Sequence, residues 1–496
     1  MRRVPIRALI QAPATRTSSL HTGQAGRRMS VQPIFFPRQA FLRLSLVLPA
    51  LLMLAACQMP FGKRDTAQIR PATPAAAQGP CVVLALPASG PYAPIGGKIS
   101  RGAGLARQEL AADGIKRRLE TVNTDAPDWL SRLSALPPEC AVVGGPLQAR
   151  NYAQARSAGA VDQRAFFTFL PSLEQGDEGA RAWRFFPSPQ DQIDALISFA
   201  TNDLNIRTYG AFYPTDAYGA RMTGMLEQSL AGQNMVLHKA SYDPADVSSW
   251  STAVAPLINA TQAEGSSTPV PQTAFEALFL PDSWKSMDML TTSLLYNGED
   301  RLVLLGTTLW EQSLSGKIVP NAEKYALAVF PGAWNAARAP RALQAPGNDF
   351  WVALGYDFTR FAVNLGLNSR LSAPEITARA GRAAQMIRAM APITWDSAGV
   401  AHQQLFIFQA SPSGMTPLDL GQFQQTRAAV LQRAALRMQG LPAVDAEGNP
   451  LVPGLPPAAG QTPDQSGTVQ PGATPSALPL SSTPQPSYKL RLPTRR

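Results

Sequence analysis

The stretch Cys81-Val-Val-Leu-Ala-Leu-Pro-Ala-Ser-Gly-Pro-Tyr-Ala-Pro-Ile-Gly96 decides how this chain folds. Its first six residues, Cys81 to Leu86, form an unbroken apolar run that reads as a strand buried on both faces. A Gly/Pro turn follows, and beyond it Ile99, Ala103, Ala106 and Leu110 fall on one helical face. The result is a strand-turn-helix unit, and a strand of this kind needs parallel neighbours reached by helical crossovers.

The same alternation recurs downstream. Ala141-Val-Val-Gly144 reads as a strand, with Ile193, Leu196, Ile197 and Ala200 on a later helix. Tyr209-Gly-Ala-Phe-Tyr213 is a strand, and Met222, Met225, Leu226 and Leu230 share a helical face. Ala277-Leu-Phe-Leu280 and Arg301-Leu-Val-Leu-Leu305 are strands on either side of a helix marked by Met287, Leu290 and Leu294. The expected class is α/β, with open parallel sheets covered by helices on both faces, and the number of units implies two sheets in two lobes. Of the 496 residues 45% are hydrophobic and 16% charged, enough to bury two medium cores.

The flanks have another character. Arg38 and Arg43 precede the apolar run Leu44 to Ala56, which ends in Leu54-Ala-Ala-Cys57. About 13 apolar residues are too few to span a ~30 Å bilayer, so residues 1–56 read as a cleaved export signal, with Met29 as an alternative start. The tetrapeptide resembles the bacterial lipobox, in which small residues admit the peptidase and the Cys thiol accepts lipid; an ordinary secretory signal with an incidental Cys is the alternative. Lipidation of Cys57 implies a membrane contact through acyl chains alone. Gln58 stands where sorted lipoproteins retained at the inner membrane resemble one another in carrying Asp, so outer-membrane delivery is expected.

Residues 57–80 have linker composition. Residues 419–440 read as a further helix, and 441–496, with twelve prolines, as a disordered tail ending in the basic Lys489-Leu-Arg-Leu-Pro-Thr-Arg-Arg496. The net charge of +10 suggests a polyanion partner, but eight of the 44 Lys and Arg lie in residues 1–56, which have no Asp or Glu. The remainder carries 36 basic against 34 acidic residues. Nucleic acid is therefore not an expected partner.

The punctuation at the strand ends brings in a family. Leu86 to Gly96 resembles the opening of the type I periplasmic binding proteins, the branched-chain amino-acid binders and their relatives. Gly144-Gly-Pro-Leu147 resembles their next cleft loop, Phe185-Phe-Pro-Ser-Pro189 their crossover, and Phe212-Tyr-Pro-Thr-Asp-Ala-Tyr-Gly219 the opening of their second lobe. Leu305-Gly-Thr-Thr-Leu-Trp310 and Leu354-Gly-Tyr-Asp357 resemble one branch, the outer-membrane lipoproteins called penicillin-binding protein activators. The resemblance covers about residues 81–415 and implies a periplasmic-binding-like domain over 81–418. Lobe one would take about 81–186 and 322–388, and lobe two about 187–321 and 389–418. It further implies a bifunctional penicillin-binding protein, a peptidoglycan synthase, as partner. The chain departs from the best-known activators in lacking the helical-repeat domain that precedes their binding domain.

In such a fold ligands gather at the carboxyl ends of strands near helix N-termini. That assigns the mouth to Ser89, Gly90 and Tyr92 after the first strand, Gln148 and Ala149 after the third, Tyr218 at a lobe-two helix start, and Thr307, Thr308 and Trp310 after a later strand. Ser89 and Gly90 also fit a plain turn, and Tyr92, Tyr218 and Trp310 also fit lobe packing. Asp357 fits a helix cap or a lobe-joining acceptor. Relatives that bind amino acids resemble one another in placing Ser or Thr where Gln148 and Ala149 stand. A free amino acid would lose partners worth about 1 kcal/mol each here, so the solute-receptor alternative, a lipoprotein serving an amino-acid importer, is weakened.

If Cys81 and Cys140 begin neighbouring strands of a 2-1-3 order, their starts lie ~4.8 Å apart and a disulfide fits the oxidising periplasm; two buried thiols are the alternative. His21, His238 and His402 are the only histidines, with no HExxH, paired CxxC, Walker loop or GxSxG. No metal, cofactor or catalytic residue is expected.

Overall fold

The computed structural model describes residues 81–262 and 269–439. The export segment, Cys57, the linker and the Pro-rich tail lie outside the described residues.

β1 (Cys81–Leu86) is buried at every position, as a strand with partners on both edges and helices on both faces must be. Val82, Leu84 and Leu86 enter one core and Cys81, Val83 and Ala85 the other, following the two-residue period of a strand. After α1 (Ala93–Ala112) come β2 (Arg118–Asn123), α2 (Trp129–Ser134), β3 (Val142–Gly144), α3 (Ala149–Ser157), α4 (Ala160–Gln163), β4 (Ala165–Thr168) and β5 (Ala182–Arg184). The five strands form one wholly parallel sheet, ordered β2-β1-β3-β4-β5. Ile99, Ala103, Ala106 and Leu110 are all buried on α1.

The chain then crosses to a second lobe at α5 (Pro189–Ser198). There follow β6 (Tyr209–Pro214), α6 (Ala217–Ala231), β7 (Leu237–Tyr242), α7 (Trp250–Val254), the short ribbon β8 (Ala260–Thr261) and β9 (Val270–Pro271), and β10 (Ala277–Phe279). Next are α8 (Met287–Tyr296), β11 (Val303–Leu305), α9 (Leu309–Leu314) and β12 (Ala328–Gly332). The chain returns through α10 (Phe350–Leu365), α11 (Ala373–Ala383) and the hairpin β13 (Ile393–Trp395) and β14 (Ala401–Gln403). It finishes on lobe two with β15 (Phe406–Ser411), β16 (Gly414–Pro417) and α12 (Leu420–Met438).

The class is α/β with two helix-covered sheets, but the second sheet is mixed. Its order is β16-β15-β12-β11-β10-β6-β7, and the last two strands among the described residues, β15 and β16, join antiparallel at one edge. Two lobe boundaries also differ from the expected division. β12 pairs with β11 and β15, so the segment from 322 to 332 belongs to lobe two. Ile393, Trp395 and Ala401 are in the lobe-one core, so the chain leaves lobe one after Gln403 and not at 389. Ala328-Val-Phe-Pro-Gly332 and the short strands at 393–403 carry too little apolar period to read as strands in the sequence, so the crossings fall later in the chain than the expected division.

Two features tighten lobe one. α1 and α10 meet at Gly102 and Gly355, where a Cβ on either would overlap the other helix's backbone. Cys81 and Cys140 form a disulfide with Cα atoms 4.6 Å apart. In the chain-entropy model, closing a loop of this length contributes about 4 kcal/mol.

Candidate functional site

The carboxyl ends of the lobe-one strands hold the first group of expected cleft residues. Ser89 and Gly90 form an exposed turn after β1, Gly90 with φ +67°, a conformation that favours glycine. Tyr92 begins α1 and is 46% exposed. Gln148 and Ala149 begin α3, Gln148 partly buried and Ala149 exposed. Gln148 does not cap the helix with its side chain.

Sequence reasoning missed the loop beside them. Thr124 and Asp125 follow β2, and a Cβ added at Gly90 would stand 3.6 Å from Asp125 Oδ2, so the two loops adjoin. Arg150 of α3 donates to Asp125 Oδ1 at 3.3 Å. Four side-chain atoms here have no hydrogen-bond partner in the protein: Thr124 Oγ1, Asp125 Oδ2, Gln148 Nε2 and Asn151 Nδ2 are all buried and unpaired. Buried polar atoms are nearly always satisfied, so these four, carried on two adjoining segments, single out the lobe-one mouth as the candidate site. β2, Arg118-Leu-Glu-Thr-Val-Asn123, carries charges on an edge strand and gives no apolar run; that is why its loop went unnoticed.

In lobe two the expected residues divide. Tyr218 donates to Thr307 Oγ1 at 3.1 Å, and burial pushes its hydroxyl above the ordinary tyrosine range. Thr308 donates through its backbone N–H and its hydroxyl to Gln192 Oε1, both at 3.1 Å. Trp310 does not line the mouth. It is fully buried in the lobe-two core, its indole N–H donating to the Asp282 carbonyl at 2.9 Å. An aromatic on the first turn of α9 gains more from burial in that core than from solvent.

Glu311, one residue further on α9, was also missed. Its carboxylate makes no hydrogen bond or ion pair among the described residues, and a Cβ on Gly332 would lie 3.2 Å from its Oε2. Burial, with the like charge of Asp349 adding to it, pushes the Glu311 carboxyl up to about 7. Asp349 caps α10 through the N–H groups of Trp351 and Val352 and pairs with Lys98 at 2.5 Å. Glu311 of lobe two and Asp349 of lobe one thus act on one another between the lobes.

The crossings are built from paired charges. Arg184, at the end of β5 and 3% exposed, donates to Asp191 at 2.7 Å, Glu178 at 3.2 Å and the carbonyls of Phe186 and Ala401. Asp191 also accepts from Ser188 N at 2.7 Å and Gln403 N at 3.0 Å. One ion pair therefore joins the first crossing to the third. Asp357, buried on α10, accepts four bonds of 2.7–3.1 Å from the N–H groups of Arg388, Ala389 and Met390, while Met390 bridges Trp334 of the second crossing. Burial pushes the Asp357 carboxyl up to about 7, against the pull of those N–H groups and Arg360. Ser188-Pro-Gln-Asp191 is a capping box, a signal legible in the sequence.

Two helix-covered sheets joined by three crossings define a fold of the periplasmic-binding type. The solved structures to which the chain is similar are those the sequence resemblance pointed to. A protein from Rhodospirillum rubrum assigned to branched-chain amino acid ABC transport is similar at 11% identity and TM-score 0.52, over 68% of this chain and all (100%) of that one. The C-domain of LpoA (YraM) from Haemophilus influenzae, a regulator of PBP1A, is similar at 14% identity and TM-score 0.48, over 68% of this chain and 99% of that one. Full-length LpoA from that organism is matched over 59% of its length, at 13% identity, TM-score 0.48 and 68% of this chain. No protein-family model and no curated protein matches the sequence. The fold is that of the type I periplasmic binding proteins.

No helix of the described residues is long and apolar enough to cross a membrane. Among the described residues no group of three or more His, Cys, Asp or Glu could hold a metal ion.

Proposed function

We propose that this protein is a non-enzymatic lipoprotein, held by acyl chains on Cys57 at the periplasmic face of the outer membrane, whose two-lobed body binds and regulates a bifunctional penicillin-binding protein. One pairing carries this reading: a lipobox-like Leu54-Ala-Ala-Cys57 stands ahead of a periplasmic-type body whose amino-acid-holding positions are Gln148 and Ala149. Amino-acid binders of the family usually place hydroxyls there, and an exposed methyl and an amide supply none, which weakens the importer-receptor reading without excluding it. The branch motifs add support, since Asp357 of Leu354-Gly-Tyr-Asp357 anchors the third crossing. Affinity capture with the full chain from detergent-solubilised envelopes tests the reading. A bifunctional peptidoglycan synthase should be enriched; an importer permease in its place overturns the proposal.

One observation favours a small-ligand reading as well. Two amide donors, a hydroxyl and a half-used carboxylate lie together at the lobe-one mouth without partners, a set suited to a small polar molecule carrying both donors and acceptors. A thermal-shift screen with such compounds, positive while no synthase is captured, would put the solute-receptor reading first.

A further inference from the structure

A cavity of ≈ 240 Å³ lies beside the crossings on lobe two and shares no lining residue with the expected mouth. Each passage between the lobes gives it a wall. α5 continues the first and ends in a π-helical turn, Phe199–Asp203, a form that is rare overall but frequent at functional sites. Asn335 and Arg338 lie on the second, and Phe406 opens the strand that follows the third. Ile407 and Leu418 complete an apolar floor that is only half-buried.

The polar groups around that floor keep bonding capacity in reserve. Asn335 is 5% exposed; its Oδ1 accepts from the Ala337 N–H at 3.0 Å, and its Nδ2 donates to nothing among the described residues. Arg338 lays its guanidinium over the Phe406 ring, 5.5 Å from the centroid, and pairs with no carboxylate among the described residues. The Asp203 carboxylate pairs with no cation among them either; its backbone carbonyl, not its side chain, accepts from Gln424 Nε2 at 2.9 Å. One wall therefore offers an amide and a guanidinium donor, which suit a carboxylate, and another offers Asp203, which suits an ammonium. At ~30 Å³ each, about eight waters would fill the space, which is smaller than the pocket of a drug-sized ligand and large enough for a very short peptide.

We propose that this cavity is a second binding site, for a zwitterion with an apolar body the size of a dipeptide. Arg338 and Asn335 Nδ2 take its carboxylate, Asp203 its ammonium, and Phe406, Ile407 and Leu418 its side chains. Both charged termini are needed, so neither a single fatty anion nor an internal stretch of a longer chain is an equivalent ligand. The proposal holds whatever the mouth of lobe one binds.

Calorimetric titration of the full chain with the dipeptide alanyl-leucine tests this, beside its N-acetylated and C-amidated forms. The free dipeptide should bind, and each blocked form should bind about fivefold more weakly, the factor expected of one lost ion pair at a half-exposed site. Asp203 and Arg338 are both exposed, so Asp203→Asn and Arg338→Gln leave the fold intact. In Asp203→Asn the acetyl group should carry no further penalty, and in Arg338→Gln the amide should carry at most a small one. Gln148→Ala, at the mouth of lobe one, should leave the affinity unchanged. Absence of binding at millimolar dipeptide overturns the proposal, as do equal affinities for the free and blocked forms. Loss of binding in Gln148→Ala with none in Asp203→Asn or Arg338→Gln also overturns it, because the dipeptide would then sit in the mouth.

Discussion

The crossings and the mouth of lobe one both bury polar side chains, and the carboxylates of the crossings are fully partnered where several polar atoms of the mouth are not. Arg184, Asp191 and Asp357 are surrounded by partners drawn from segments up to 217 residues apart. Thr124, Asp125, Gln148 and Asn151 keep atoms out of water and give them no partner at all. A buried hydrogen bond contributes only about 1 kcal/mol net, but an orphaned group costs about 1–3 kcal/mol. The paired charges at the crossings therefore hold the lobes in register, and the unpaired atoms at the mouth lower stability. If that contrast is right, substitutions at the two places should differ in sign as well as size.

The largest effect belongs to Asp357→Ala. It removes the acceptor from three buried N–H groups at 388–390, and at 1–3 kcal/mol each the loss is roughly 5 kcal/mol. Chemical denaturation at about pH 5 is the suitable measurement, because the carboxyl is pushed up to about 7 and at higher pH its removal would return part of its ionisation cost. A loss under about 1.5 kcal/mol would mean that the third crossing is held by the Arg184–Asp191 pair alone.

Glu311→Gln probes a carboxyl between the lobes that belongs to neither pattern. A carboxyl raised to about 7 from 4.5 stabilises the folded state fully below the unfolded value, and that contribution is lost as pH rises through about 7. The glutamine variant lacks this slope, while Asp357 titrates in both proteins and cancels from the difference. The two melting curves should coincide near pH 4.5, and the variant should melt roughly 2–4 °C higher at pH 8. Equal melting temperatures at both pH values would show Glu311 to be solvated between open lobes.

How much of this was legible in the sequence follows from what leaves a local mark. β1, buried on both faces, announced itself by an unbroken apolar run, and its helix by Ile99, Ala103, Ala106 and Leu110. Cys81 and Cys140 could be paired because each stands at the start of an apolar run and parallel neighbours start level. β12 and the β13–β14 hairpin were not placed, since three to five residues broken by Pro or a polar position carry too little period to read. Trp310 looked like a mouth residue because its motif follows a strand, yet the first turn of α9 aims it into the core. The unpaired set could not be foreseen at all: that Thr124 or Asn151 lacks a partner depends on what the fold brings near it, not on its neighbours in the chain.

The smallest expected effect is the most direct test of the contrast. Thr124 is 3% exposed, its backbone N–H bonds to the Leu86 carbonyl at 3.0 Å, and its hydroxyl has no partner. Thr124→Val keeps the shape, the branching and the backbone bond and deletes only the hydroxyl. At a site where the hydroxyl is satisfied by protein, that exchange costs about 1 kcal/mol or more; where it is an orphan, replacing it with a methyl is neutral or slightly stabilising. Denaturant midpoints of the two proteins should therefore agree within about 0.5 kcal/mol, with any difference in favour of valine. A loss above about 1 kcal/mol would mean that a bound water or small molecule already completes the site, which would place Thr124 with the paired groups of the crossings.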